Sequence, residues 1–224
     1  MLLKINIPIS EKLFLIDPTS SRLGKSILLS AIELIDEIGF EKFTFKKLGV
    51  IIDSPEASIY RYFKSKNQLL TYLISWYWGW MEYRLLFETA NIESAEYRLQ
   101  RAIALITTAG DEKIEMDGAD ISKLHTIVIS ESAKSFLTKD VDKANKEGAF
   151  YNYKQFVAMV ASIIKEINPR YKYPNMLLST IIEGAHLQVF FAEHLPMLTN
   201  KQASADYITE FYKDLAFKSI KNTI

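Results

Sequence analysis

The sequence predicts an all-α fold, and three observations carry that expectation. Apolar residues recur at spacings of three and four along most of the chain, the period of a helix with one buried face. The 8 glycines and 6 prolines of the 224 residues fall at the ends of those stretches, where helices start and stop. Strict alternation, the mark of a half-buried strand, is confined to Leu3, Ile5 and Ile7 with Lys4 and Asn6 between them, a short extended arm.

The first helix is expected from about Ser20 to Ile38. Leu23, Ile27, Ala31, Leu34, Ile35 and Ile38 share one face, Ser20 or Ser21 can cap it, and Gly39 suits the left-handed residue past its end. A short helix follows Thr44, a good N-cap. Another starts at Ser54-Pro55, with Ser as cap and Pro at the first helical position, and reaches about Phe63. Ser65-Lys66-Asn67-Gln68 has the form of a capping box and opens a long fourth helix to about Thr89. Ser94 caps a helix carrying Leu99, Ala102, Ile103 and Ile106 that ends at Gly110. Asp111 to Asp120 holds five acids and one Lys and reads as a solvated loop. Ile121 to about Ser132 is a further helix, and Ser135 to Gly148 is polar and ambiguous. Ala149 to Ile167 is helical, Pro174 opens a helix that Pro196 closes, and Ser204 opens the last one, to about Ile220.

Composition narrows the function. Hydrophobic residues are 49% and charged residues 24%, an ordinary globular balance in a chain long enough to bury a core. Lys plus Arg and Asp plus Glu are both 27, which excludes binding polyanions through bulk charge and leaves room for a local basic face. With no cysteine, disulfides, zinc-thiolate sites and Cys nucleophiles are excluded. The longest uncharged apolar run, Leu69 to Met81, is too short for a bilayer. The N-terminal stretch lacks the continuous apolar region of a signal peptide. The expectation is a soluble, cytoplasmic protein with no membrane partner.

Residues 44 to 63 carry the most informative pattern. Two short helices joined by a tight connection around Asp53, both after a longer helix, have the layout of a helix-turn-helix unit. Its second helix must lead with small or polar residues so that the backbone can approach base edges, and must anchor its other face. Pro55, Glu56, Ala57 and Ser58 form such a leading end, and Ile59 and Phe63, four apart, can anchor it. Tyr60, Arg61 and Tyr62 offer hydroxyls and a guanidinium to phosphates or bases. Lys64 and Lys66 lie near the start of the fourth helix, where a cation and backbone N–H groups can hold a phosphate together. Residues 20 to 70 hold 8 basic and 6 acidic side chains, a small excess of the right sign. On spacing alone, a three-helix corner that merely packs, with Tyr60 and Phe63 as core, remains the alternative.

Thr44-Phe45-Lys46-Lys47-Leu48, then Ser58-Ile59-Tyr60-Arg61-Tyr62-Phe63-Lys64-Ser65-Lys66-Asn67-Gln68-Leu69-Leu70, resembles the N-terminal signature of the tetracycline-repressor (TetR/AcrR) family. That signature reads roughly T-x-x-x-I-A, a turn, then T-L-Y-x-H-F-x-x-K-x-x-L. Ala31, Ile38, Gly39 and Phe40 of the preceding helix resemble it too, so the likeness spans about residues 22 to 73. The family's turn usually reads A-G-V-S, and here it is Ile52-Asp53-Ser54-Pro55. The family's early recognition-helix glycine is Ala57, its usual His is Tyr62, and Glu56 adds an acid. The resemblance implies a ligand-responsive bacterial transcriptional regulator, most often a repressor, that binds a palindromic operator as a homodimer and is nucleoid-associated when bound. Its DNA-binding residues would be Thr44, Lys46, Ser54, Pro55, Glu56, Ser58, Tyr60, Arg61, Tyr62, Lys64 and Lys66. Arg61, Lys64 and Lys66 would fix position on phosphates, with Glu56, Ser58 and Tyr62 nearest base edges. Residues 1–19 would be an N-terminal extension, 20–65 the helix-turn-helix domain, and 66–224 the effector-binding and dimerisation domain.

The C-terminal half offers candidates for both of its implied roles. The helix from Pro174 to Leu195 is apolar on more than one face, and Gly184 and Ala185 permit close helix approach. With the last helix it would form a dimer interface through Ile182, Ala185, Val189, Phe190, Ile208, Phe211, Tyr212 and Leu215; burial within one chain is the alternative. Trp76, Trp80 and Tyr83 share a face of the fourth helix and could line a pocket for a small apolar or aromatic effector, with His125, Tyr153, Phe156, Met159 and His186 as further walls. Packing in the core is the alternative for each. No cofactor is implied. The three histidines have no metal-binding spacing, and Asp140-Val141-Asp142 lacks the remainder of a calcium loop. No nucleophile motif or phosphate-cradling glycine loop occurs, so no enzyme is expected. The rival function is an all-helical ligand-binding or interaction protein whose reading head has lost DNA.

Overall fold

The computed structural model describes residues 7–110, 115–116, 118–200 and 206–221. The structure is all-α, with ten α-helices among those residues. They are α1 (Arg22–Ile38), α2 (Phe45–Ile51), α3 (Glu56–Tyr60), α4 (Lys66–Thr89), α5 (Ala95–Thr108), α6 (Ile121–Phe136), α7 (Val141–Lys146), α8 (Tyr151–Ile167), α9 (Pro174–His194) and α10 (Tyr207–Lys221). The chain divides into two compact units, Met1–Trp80 with Gly110–Tyr153, and Met81–Ala109 with Lys154–Ile224.

Local chemistry sets the helix ends in the first unit. The Ser21 hydroxyl accepts from the Gly24 N–H and starts α1, and Gly39, at φ 76°, ends it. Thr44 accepts from the Lys47 N–H and starts α2. The core of this unit joins Ile27, Leu28, Ala31 and Ile35 of α1 to Phe43, Leu48, Ile59 and Phe63, all buried. Aromatic rings extend it: Phe43 stands edge-on to Phe45 at 6.2 Å, Phe45 to Tyr60 at 5.0 Å, and Phe63 to Tyr72 at 5.5 Å. Helix α6 packs along α1; the ion pair Lys123–Glu33 joins them, and Lys134 pairs with Glu41 just past the end of α1.

The second unit packs α5, α9 and α10 together. Leu99, Ala102, Ile103 and Ile106 of α5 meet a core that includes Ile181, Ile182 and Ala185 of α9 and Tyr212, Ala216 and Ile220 of α10. A buried hydrogen bond of 2.6 Å joins the Thr107 and Thr209 hydroxyls across α5 and α10.

Several elements differ from the sequence expectation. The acidic stretch before α6 contains a two-residue hairpin, β1 (Glu115–Met116) with β2 (Ala119–Asp120), turning at Gly118 with φ 89°. Met116 and Ala119 are buried, so the described part of the stretch is not wholly solvated. Leu3, Ile5, Ser204 and part of that acidic stretch lie outside the described residues, and Ile7 is in no strand. Helix α6 runs to Phe136, beyond Ser132, because Leu137 rather than a glycine ends it, its N–H reaching the Ala133 carbonyl. The polar stretch after it forms the short helix α7. Gly110 keeps a negative φ. Its lack of a side chain instead admits the His125 ring, whose Cδ2 would collide with a Cβ there and whose Nε2 would stand 3.2 Å from it.

Candidate nucleic-acid interface

Helices α2 and α3 meet across a turn that the sequence builds without glycine. Asp53 takes the left-handed conformation, φ 49°, at the position where the resembled family usually has Gly. Aspartate tolerates that conformation better than most side chains. The Ser54 N–H then donates to the Gly49 carbonyl at 2.9 Å. Gly49 has no room for a Cβ, which would stand 2.6 Å from the Ser54 carbonyl oxygen. Helix α3 starts one residue later than expected. Pro55 is its N-cap, Ser54 makes no capping hydrogen bond, and the helix stops at Tyr60. Ser54 is therefore a turn residue. Its expected role as cap fails because the helix begins at Glu56, which puts Pro55 in the cap position and Ser54 one residue outside it.

Ile59 and Phe63 are fully buried and anchor α3 as their spacing implied. The opposite side faces water. Thr44, Lys46, Pro55, Ala57, Tyr60, Arg61 and Lys64 are exposed, and Ser54, Glu56 and Ser58 are half-buried. Lys46, Gly49, Val50, Asp53, Ser54, Pro55 and Glu56 line an open cleft of about 410 Å³ between the two helices. Val50 and Ile51 add exposed apolar surface beside it that the sequence pattern did not single out. Lys47 is also exposed, with its ammonium on the Lys42 carbonyl at 2.9 Å.

Two expected DNA contacts are corrected. Tyr62 is only 7% exposed, and its hydroxyl shares a 2.8 Å hydrogen bond with Ser21. It reaches inward to the start of α1, so it is a strut and not a reader of base edges. Lys66 points back at the end of α1. Its ammonium donates to the carbonyls of Phe40 at 3.0 Å, Glu41 at 3.2 Å and Phe43 at 3.3 Å, and lies 4.6 Å from the Phe40 ring centre. The Phe40 carbonyl also accepts from the Phe43 N–H at 3.2 Å, and the one cation serves all three carbonyls of this bend.

The capping box at the start of α4 is also half as expected. Ser65 accepts from the Gln68 N–H at 3.2 Å, but the Gln68 side chain accepts from the Lys64 N–H at 2.7 Å. Two backbone donors that a phosphate might have used are thereby taken.

The effector candidates divide between the units. In the first, Trp76, Trp80 and His125 are buried core, and Tyr153 stacks on Trp78 with ring centres 4.3 Å apart. Tyr77 and His125 share a 2.7 Å hydrogen bond, and burial pushes the His125 pKa down to about 4, so the ring is neutral at pH 7. In the second, Phe156 and His186 are buried and Tyr83 and Met159 half-buried. A cleft of about 310 Å³ in the second unit is lined by other residues, among them Gln188, Leu198, Tyr207, Ile208 and Phe211.

The expected dimer face splits the same way. Ile182, Ala185 and Tyr212 are buried within their own unit and are removed from it as a correction. The close approach that Gly184 permits is to Tyr212 of the same chain, whose ring carbon Cζ would lie 3.2 Å from a Cβ. Val189, Ile208 and Leu215 are half-buried, while Phe190 and Phe211 are exposed, together with Leu187, Met197 and Leu198.

Residues 27–73 match the family described as bacterial regulatory proteins, tetR family. The likeness to that family is a likeness of the head, residues 27–73. The match contains α2, the Asp53 turn and α3. No curated protein matches the chain. Among solved structures, the fatty acid degradation regulator FadR from Bacillus halodurans has a TM-score of 0.60 at 15% identity, over 89% of this chain and 98% of that one. AibR in complex with isovaleryl coenzyme A and operator DNA has a TM-score of 0.58 at 16% identity, over 85% and 96%. The superantigen PfiT has 0.58 at 16% identity, over 93% and 100%. At such identities these likenesses give the fold alone, and the tetR-type head is what points to DNA. No helix among the described residues is long and apolar enough to cross a membrane.

Proposed function

We propose that this protein is a ligand-responsive transcriptional regulator, acting as a repressor, that binds a palindromic operator as a homodimer. The observation that carries the reading is the tetR-type head, in which α3 is anchored by Ile59 and Phe63 while its leading end has Pro55 and Ala57 exposed and Glu56 and Ser58 half-buried. Lys46 lies beside that end, Tyr60, Arg61 and Lys64 are exposed at and past the other end of α3, and Thr44 is exposed at the start of α2; they supply phosphate contacts, which position the head without reading sequence. Glu56 and Ser58 supply base contacts. A carboxylate accepts from the cytosine amino group and is repelled by the acceptors of guanine, so each half-site should place a cytosine opposite Glu56.

A dimer fits the small reading surface, because two heads on two half-sites multiply modest contacts. Its face would be Leu187, Phe190, Ile208, Phe211 and Leu215. The effector would be a small apolar or aromatic molecule, with Tyr83, Phe156, Met159 and His186 as candidate walls in the second unit. The AibR complex, which holds isovaleryl coenzyme A and operator DNA, makes an acyl group a reasonable first choice. The domain reading remains an extension, a head at 20–65 and an effector and dimer domain at 66–224.

Selection of bound genomic fragments by the purified protein, across a salt series, tests this reading. A single enriched palindrome with half-sites separated by whole helical turns is expected. No enrichment and no salt-dependent DNA affinity would overturn it in favour of a helical ligand-binding protein whose head has lost DNA.

A further inference from the structure

We propose that residues Ile7 to Ser21 form a strap that sets the angle of the reading helix, tying the end of α3 to α4 and to the corner between α7 and α8. The proposal rests on the DNA-reading function given above. The strap is held along its whole length. Asn152, buried at the start of α8, donates to the Pro8 carbonyl at 3.1 Å and to the Ser75 carbonyl of α4 at 3.0 Å. The Ser10 hydroxyl donates to the Glu147 carbonyl at 2.7 Å. Gln68 of α4 donates to the Lys12 carbonyl at 3.2 Å. Leu13 and Pro18 are buried, and Phe14 stands edge-on to Tyr72 with ring centres 6.1 Å apart.

Three glycines lie under the strap where a side chain would meet it; at Gly24 it would meet strap backbone, and Gly148, at φ 85°, also needs glycine for its own backbone. A Cβ on Gly24 would stand 2.6 Å from the Pro18 Cα and collide with its carbonyl oxygen. One on Gly79 would collide with Ile7 and stand 2.7 Å from the Asn152 amide nitrogen. One on Gly148 would stand 2.9 Å from the Ser10 hydroxyl. A terminal segment lying loosely on the surface needs no such clearances.

The strap ends on the reading head. The Leu15 N–H donates to the Tyr62 carbonyl at 2.8 Å, and Ser21 holds the Tyr62 hydroxyl. Tyr62 is thus gripped at its backbone and at its tip, two residues past the end of α3. Helix α3 has only five residues, and Ile59 and Phe63 anchor one side of it. The turn at Gly49 and the Phe45–Tyr60 contact hold its α2 side, and the strap is what holds the chain just past its far end. Hydrogen bonds to base edges weaken steeply with misdirection, whereas long cationic side chains follow a phosphate over several ångströms. A loosened strap should therefore cost specific binding far more than general DNA affinity.

Two full-length variants test this. Gly24→Ala improves the helix propensity of α1, so any loss must come from displaced Pro18. Asn152→Leu removes the anchor on α8. Each is compared with wild type on the selected operator and on an unrelated duplex at one salt concentration, and by hydrogen exchange of amides 56–63. The expected result is an operator Kd raised about tenfold or more, an unrelated-duplex Kd within about twofold, and faster exchange confined to the end of the head. An operator Kd within about twofold and unchanged exchange in both variants would overturn the strap, as would equal loss on both duplexes by a variant whose Tm matches wild type. If the wild type selects no sequence, the DNA-reading function fails instead. The strap is then judged on exchange alone: faster exchange at 56–63 supports it, and none refutes it.

Discussion

Lys66 shows how the same residue type can serve a phosphate or a fold. Its three carbonyl partners make it a brace between α4 and the end of α1. Lys66→Ala should lower the unfolding free energy by about 1–3 kcal/mol and leave the salt slope of DNA binding unchanged. Lys64→Ala or Arg61→Ala, both exposed, should reduce that slope by about one unit each with little effect on stability, read by denaturation and by salt titration of Kd. Glu56→Gln should relax the choice of base at one half-site position while sparing the rest, read by repeating the fragment selection. His125 adds a pH dependence. Its folded pKa, near 4, lies below the ordinary value of 6.5, so the folded form binds fewer protons than the unfolded form between those two values. Its contribution is present above about pH 6.5 and is lost as pH falls toward 4, at up to about 1.4 kcal/mol per pH unit. His125→Gln should flatten the fall of Tm with acid over that window, and an unchanged slope would remove His125 as its source. At this scale the sequence named the residue types of the site but not their directions. Tyr62 and Lys66 match a DNA-binding pattern, yet both turn inward, because their partners, Ser21 and the carbonyls after α1, are more than 20 positions away.

Elements were the most legible level, and for local reasons. Ser21, Thr44 and Ser94 cap helices as their positions implied, and Gly39 ends α1, because each cap is decided within four residues. The reading failed where a rule needed a distant partner or two local rules competed. Pro55 takes the cap position from Ser54. Gln68 prefers the Lys64 N–H to that of Ser65. The hairpin before α6 was hidden because five acids dominate a stretch whose two buried residues are too few to show a period. One element contact gives a direct test. The Thr107 hydroxyl bonds both Thr209 and the Ile103 carbonyl, inside the α5–α10 contact. Thr107→Val strands the Thr209 hydroxyl and should cost about 1–3 kcal/mol, whereas Thr107→Val with Thr209→Val should recover most of that loss. A double variant as unstable as the sum of the singles would show that the pair contributes nothing beyond its packing.

Across the whole molecule, hydrophobic period reports that a face is covered and not by what. Helix α9 reads as apolar on several sides, a stripe that a second copy or the chain's own core could cover. The structure gives Ile182 and Ala185 to the chain's own core, with Tyr212 of α10, and leaves Leu187, Phe190 and Phe211 in water. Phe211 is 57% exposed and Leu187 51%, large apolar side chains that a single chain leaves uncovered. If a second copy covers them, Phe211→Lys with Leu187→Glu should convert a dimer to a monomer in sedimentation while leaving Tm nearly unchanged. The same variant should lose affinity for the full palindrome yet keep that of wild type for an isolated half-site, since each head is intact. Ile182→Ala supplies the contrast. Ile182 is 0% exposed, so its loss should cost about 2–5 kcal/mol of stability without changing the dimer constant of the folded protein. A wild-type chain that sediments as a monomer at tens of micromolar, or an Ile182→Ala variant that dissociates before it unfolds, would move the interface back to the inner stripe or remove it.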